Sequence, residues 1–185
     1  MTTPNSTKTL FVTVGTTLFQ PLIDAIAIPS TLRWLRSNDF THVILQFGKG
    51  TPPQLPTDCA GLVIECYDFK PSLRDDMTRA EWILCHAGAG TLMEALHLPQ
   101  RPVVATVINT RLMDNHQTEL AYALRDRGHV QVVEDPVLLQ HCDAWEVILR
   151  KSTCSDGSVL WKTGDDLDFP RIPSTFFGDS IEKED

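Results

Sequence analysis

The sequence predicts an α/β fold, a Rossmann-like parallel sheet with helices on both faces. Short apolar runs rich in β-branched residues alternate with segments whose apolar residues recur at helical spacing. The connections between them are mostly short, which suits strand–helix–strand crossovers. A Gly-rich turn, Gly88-Ala89-Gly90, stands where one such strand passes into a helix.

In chain order, residues 9–14 form the first apolar run, which stops at Gly15. Residues 22–35 carry helical spacing, with Pro29 set to kink or split the helix. Residues 42–47 read as a second strand, followed by a Gly/Pro-rich loop over 48–56. Residues 62–67 read as a third strand, 72–78 as a short helix and 82–85 as a fourth strand. A helix begins at Thr91 and ends before Pro99. Residues 103–108 are the most β-branched run and predict a buried strand. Residues 115–127 predict a helix: Leu120, Ala121 and Leu124 share a face, and Gly128 supplies the stop. A short strand over 130–133 and a continuous helix over 137–150 complete the pattern. A parallel sheet binds ligands at the carboxyl ends of its strands, near the switch in strand order. The loops 15–19, 69–73, 86–90 and 109–116 are therefore the places to look for a site.

The division expected is a polar lead over 1–8, one α/β domain over 9–151 and an acidic extension over 152–185. Two readings fit that extension. It is a partly ordered tail, or an arm whose Trp161, Phe169, Phe176 and Phe177 dock on a partner. The net charge of −8 argues against a nucleic-acid partner, because no basic face balances phosphate. No apolar run approaches the roughly 20 residues that span a bilayer, and the N-terminus does not read as a signal peptide. Five cysteines without Cys-x-x-Cys spacing argue against structural zinc and a disulfide framework, and point to a reducing compartment. Cys66 and Cys85 are expected to be small buried hydrophobes. The chain is expected in the cytoplasm.

The turn from His86 to Thr91 is the first chemical candidate. Gly88 and Gly90 permit close approach of a ligand to the backbone, and the free N–H groups of the helix that follows favour an anion. A Gly-x-Gly turn is a weak signal alone. It lacks the spacing of the dinucleotide fingerprint and the Lys-Ser/Thr of the P-loop. Glu94, about one turn into the helix, has two evenly matched readings: a carboxylate favoured by the helix N-terminus, or an acceptor for a sugar diol. Gly15 and Thr16 offer a glycine and a hydroxyl from a neighbouring strand end, which turn chemistry also explains. Asn115, His116 and Gln117 cluster hydrogen-bonding groups, with Asn115 a natural N-cap and Gln117 the stronger candidate for a contact. His42, His97, His129 and His141 are expected on the surface. No His-x-x-x-His or Glu-x-x-His spacing supports a metal, and Asp75-Asp76 is explained by the start of a short helix.

Three motifs in order, Phe11-Val12-Thr13-Val14-Gly15-Thr16-Thr17, His86-Ala87-Gly88-Ala89-Gly90-Thr91 with Glu94, and Asn115-His116-Gln117 with Glu119-Leu120-Ala121, resemble the catalytic-subunit family of the dolichol-pathway UDP-N-acetylglucosamine transferase. That family is of the glycosyltransferase family 28, C-terminal-domain type. The resemblance runs from about Thr9 to Lys151. It implies the C-terminal donor-binding half of a GT-B glycosyltransferase divided between two proteins. The donor would be UDP-GlcNAc and the acceptor GlcNAc-diphosphodolichol, joined β1,4 with inversion. A membrane-anchored acceptor-binding subunit would hold the pair on the cytosolic face of the endoplasmic reticulum. By that resemblance Gly88, Ala89, Gly90 and Thr91 hold the diphosphate, and Glu94 takes the ribose hydroxyls. Gln117, with His116, reads the sugar ring, and Gly15 and Thr16 line the phosphate or acceptor side. Residues 67–70 take the place of backbone contacts to uracil. No metal or other cofactor is implied, and the general base is expected on the partner. The alternatives are a non-catalytic nucleotide-sugar-binding or regulatory module of the same fold, and a donor domain serving another acceptor.

Overall fold

A computed structural model describes residues 8–109 and 115–152. Its elements run β1 (Lys8–Thr13), α1 (Gln20–Ala27), α2 (Pro29–Ser37), β2 (Phe40–Gln46), β3 (Val63–Tyr67), α3 (Arg74–Arg79), β4 (Trp82–His86), α4 (Ala89–Leu96), β5 (Val103–Val107), α5 (Asn115–Asp126), β6 (Gln131–Val133), a 3-10 helix (Pro136–Gln140) and α6 (Cys142–Ser152). The strands form one sheet in the order β3-β2-β1-β4-β5-β6, and every pairing is parallel. The chain winds outward from β1 to β3, then returns to β4 on the other side of β1. The order therefore switches between β1 and β4, whose carboxyl ends meet at the Thr13–Cys85 pair.

Strand alternation sends side chains to both faces of the sheet. Leu10, Val12 and Leu84 join Leu22, Ile26, Leu32 and Leu35 in one apolar layer. Phe11, Ile83 and Cys85 join Leu92, Leu96, Leu120 and Leu124 in the other. Aromatic rings tie α6 back to α2: Trp34 and Trp145 stack at 5.4 Å, and Trp34 meets Trp82 at 6.4 Å. No helix of the described residues is long and apolar enough to cross a membrane.

Pro29 splits the first helical segment as expected. Ile28 before it is extended at φ −75°, ψ 148°, and Pro29 opens α2. The continuous helix expected over 137–150 is broken instead. Asp135 caps a 3-10 helix by accepting from the Val137 N–H at 2.8 Å, and α6 starts only at Cys142. The cause is tertiary. The Leu139 carbonyl accepts from Thr31 Oγ1 at 3.1 Å and Trp145 Nε1 at 2.8 Å, which takes it out of a helical ladder. Two burial expectations also fail. Cys66 is exposed because β3 is an edge strand, and His129 is buried where α5 turns into β6. Residues 1–7, 110–114 and 153–185 lie outside the described residues, and with them both readings of the acidic extension.

Candidate functional site

The site begins with the loop after β1. Gly15 sits at φ +58°, the left-handed region where a Cβ is costly, and its N–H donates to Thr13 Oγ1 at 3.1 Å. Thr17 closes the turn by donating its hydroxyl to the Val14 carbonyl at 2.7 Å. Its hydroxyl is thus spent on the turn, whereas Thr16 is exposed at the tip. Gln46, at the end of β2 and 1% exposed, anchors the loop. Its Oε1 accepts from Thr13 Oγ1 at 2.5 Å and from the Val14 N–H at 3.2 Å. Its Nε2 donates to the carbonyls of Gly15 at 2.7 Å and Asp68 at 2.6 Å. One buried amide thereby uses all of its capacity to hold the ends of three strands together. Asn109, at the end of β5, reaches the same loop by donating to the Leu18 carbonyl at 3.4 Å. Sequence reasoning singled out neither Gln46 nor Asn109. The signal for Gln46 was a polar residue directly after the apolar run Val43-Ile44-Leu45 at the end of β2.

His86 ends β4 and is 6% exposed. Its ring is wedged between the two loops. A Cβ on Gly15 would stand 2.9 Å from His86 Cε1, and one on Gly88 would stand 2.8 Å from that atom and closer still to Nε2. Both glycines are therefore required by the imidazole. Burial pushes the His86 pKa below its ordinary value, against an opposing pull from the Thr13 backbone, and Nδ1 has no partner in the described structure. The ring is neutral near pH 7. Burial also pushes the neighbouring Cys85 thiol up to about 12, against a hydrogen bond with Thr106, so it is no nucleophile.

Gly88 caps α4 with an extended backbone (φ −80°, ψ 125°) and no side-chain capping bond. The Leu92 N–H donates to the Gly88 carbonyl at 3.0 Å. The N–H groups of Ala89, Gly90 and Thr91 precede it and have no acceptor within the helix. Gly90 differs from the other two glycines. It is exposed, and a Cβ there would meet no atom within 4 Å. Nothing among the described residues demands a glycine at that place, whereas a ligand lying against the helix start would. Glu94 is half-buried, one turn after Gly90 and Thr91.

The structure thus brings Gly15, Thr16, His86, Gly88, Ala89, Gly90, Thr91 and Glu94 to the switch between β1 and β4. Asn115, His116 and Gln117 form the first turn of α5, after β5, while their side chains lie outside the described residues. In the segment 67–70, Tyr67 and Lys70 turn to the buried Asp76, donating to Oδ2 at 2.6 Å and 2.7 Å. Burial first, and then the bond to Asp76, push the Tyr67 pKa upward. These side chains brace the loop, and Phe69 is left exposed beside them. Two clefts among the described residues lie elsewhere. One of about 520 Å³ sits between β6 and α6, and one of about 620 Å³ sits between α1 and residues 51–56. The candidate site lies at the carboxyl ends of the central strands β1 and β4.

The sequence pattern of the glycosyltransferase family 28 C-terminal domain matches residues 9–141. UDP-N-acetylglucosamine transferase subunit ALG13 of Homo sapiens is 37% identical over 163 residues, covering 88% of this chain and 14% of the relative. The protein of the same description from Yarrowia lipolytica is 31% identical over 128 residues, covering 68% of this chain and 64% of the relative. The chain thus spans a small part of the human relative and just under two thirds of the yeast one. Among solved structures, an ALG13 solution structure superposes with a TM-score of 0.57 at 20% identity, covering 83% of this chain and 88% of that one. A MurG crystal structure from Acinetobacter baumannii gives 0.58 at 18%, covering 80% of this chain and 43% of that one. The fold is the Rossmann-like half of a GT-B architecture, and the chain belongs to the glycosyltransferase family 28 C-terminal domain family.

Proposed function

We propose that this chain is the donor-binding subunit of a heteromeric transferase moving GlcNAc from UDP-GlcNAc to GlcNAc-diphosphodolichol, with inversion and a β1,4 link. One observation carries the reading: at the strand switch, an uncapped helix start with open space over Gly90 lies one turn from Glu94. The diphosphate takes the N–H groups of Ala89, Gly90 and Thr91, with the Thr91 and Thr16 hydroxyls beside it. As the glycosidic bond breaks, negative charge grows on that diphosphate. Donors already fixed by the fold stabilise it without a metal or other cofactor. Glu94 accepts both ribose hydroxyls, and Gln117 with His116, in the first turn of α5, is assigned to reading the sugar ring, with Asn115 beside them in the same turn. The backbone after β3, braced through Asp76, lies where uracil is read.

The acceptor and the base that deprotonates its hydroxyl belong to a membrane-anchored partner subunit, which recruits this chain to the cytosolic face of the endoplasmic reticulum. The names of the human and yeast relatives, each a transferase subunit, support a partner. The test is co-expression with a membrane-anchored candidate partner, followed by an assay with UDP-GlcNAc and a GlcNAc-diphospho-lipid. Glu94→Ala loses two charge-assisted hydrogen bonds, about 3–5 kcal/mol together, so transfer is expected to fall by about 100-fold or more. Its fold and its pairing should survive. Near-normal transfer by that variant would remove the ribose assignment, and no transfer to any such acceptor by the unaltered pair would leave a binding module.

A further inference from the structure

The 3-10 helix and α6 do not close over β6. The cleft of about 520 Å³ between them is walled by Val132, Glu134, Leu138, Asp143, Val147 and Ile148. Leu138 and Val147 are each 47% exposed there. β6 is also the last strand of the sheet, so one of its backbone edges has no strand beside it among the described residues. Apolar walls next to an open strand edge are suited to receiving an extended apolar segment.

We propose that the cleft is filled by the chain's own continuation, with Val159, Leu160 and Trp161 as the anchors. α6 ends at Ser152, four residues or about 6 Å of helix past Ile148 in the cleft wall. The next residues, Thr153-Cys154-Ser155-Asp156-Gly157-Ser158, include an Asp-Gly turn pair and reach about 20 Å when extended. That is enough chain to reverse direction and return to Val147. Val159-Leu160-Trp161 then arrives as the first apolar triplet after α6. A Trp side chain buries about 150–250 Å², a fitting cover for Leu138 and Val147.

The match to the human relative extends past the family pattern. The family pattern stops at residue 141. The match to that relative covers 88% of 185 residues, about 163 of them. A span of that length cannot end before Lys162 even when it begins at Met1, so Val159, Leu160 and Trp161 lie within it.

The test uses the full chain labelled with 5-fluorotryptophan, in which Trp161→Phe identifies the Trp161 fluorine resonance. Trp34, Trp82 and Trp145 are buried in the core and report that the fold is intact. A soluble gadolinium chelate should broaden the Trp161 resonance several-fold less than free 5-fluorotryptophan. Val147→Lys or Leu138→Lys, each at a half-exposed wall position, should restore full broadening and leave the three core resonances in place. Full broadening in the unaltered chain overturns the proposal, as does protection that neither substitution removes. Protection that fades on dilution also overturns it, by giving the cleft to a second copy.

Discussion

Replacing Gly88 with alanine should damage the fold, whereas the same change at Gly90 should damage only the ligand site. A Cβ on Gly88 lands 2.8 Å from His86 Cε1 and 3.1 Å from Cδ2, and closest of all to Nε2. All three clashing atoms belong to the buried His86 ring, so the ring or α4 must shift to admit the methyl group. Overpacking of this kind costs about 1–3 kcal/mol. A loss of about 2 kcal/mol lowers the melting temperature by about 4–8 °C in a chain of this length. Gly90 lies inside α4 with open space around it. Alanine there should gain up to about 1 kcal/mol of helix propensity. It should nevertheless weaken UDP-GlcNAc binding, since the added methyl group stands where the diphosphate approaches. Calorimetric melting and isothermal titration of both variants provide the measurements. The double variant Gly88→Ala with His86→Ala should lose less stability than the sum of its parts, because the clash leaves with the ring. Additivity in that cycle, or a Gly88→Ala protein as stable as the parent, would refute the wedge. Unchanged affinity in Gly90→Ala would refute the ligand's approach over that residue.

Gln46→Leu should cost about 3 kcal/mol or more, because Thr13 Oγ1, the Val14 N–H and the carbonyls of Gly15 and Asp68 lose a partner together. Urea denaturation measures the loss, and a cost under about 1 kcal/mol would show that those groups find other partners. The depressed pKa of His86 has a definite sign in stability. Below the ordinary histidine value of 6.5 the unfolded chain binds a proton that the folded ring resists, so stability falls as pH drops from there toward the folded pKa. His86→Gln should flatten that part of the pH profile relative to the parent, and identical slopes between pH 7 and 5 would contradict a buried neutral ring.

How much was legible depended on how local each cause is. The split at Pro29 was legible because proline acts on its own ring and on Ile28 before it. The glycines of the site were legible as positions, but two of their reasons were not. Gly88 read as room for a ligand and Gly15 as a loop glycine that turn chemistry also explains, and in the folded chain the space beside both is taken by one imidazole. Of these three, Gly90 alone has open space around it among the described residues. Gln46 stayed hidden because its partners come from positions 13–15 and 68, distant in sequence and joined only by strand order. The break at residue 141 was equally hidden. It follows from Thr31 holding the Leu139 carbonyl across a separation of 108 residues, which no local pattern carries.

That long-range closure has a consequence for synthesis. Thr31 and Trp34 each have partners at the far end of the chain, Leu139 for one and Trp145 with Glu146 for the other, with separations of 108 and 112 residues for the two hydrogen bonds. At about 5–20 residues per second a ribosome needs on the order of 5–20 s to extend the chain that far. Throughout that interval α1 and α2 lack the cover that seals their apolar layer. The nascent chain therefore presents a greasy flank to chaperones until α6 is made. Interruptions of translation beyond β6 should then yield products that are held or degraded, even though all six described strands are already present.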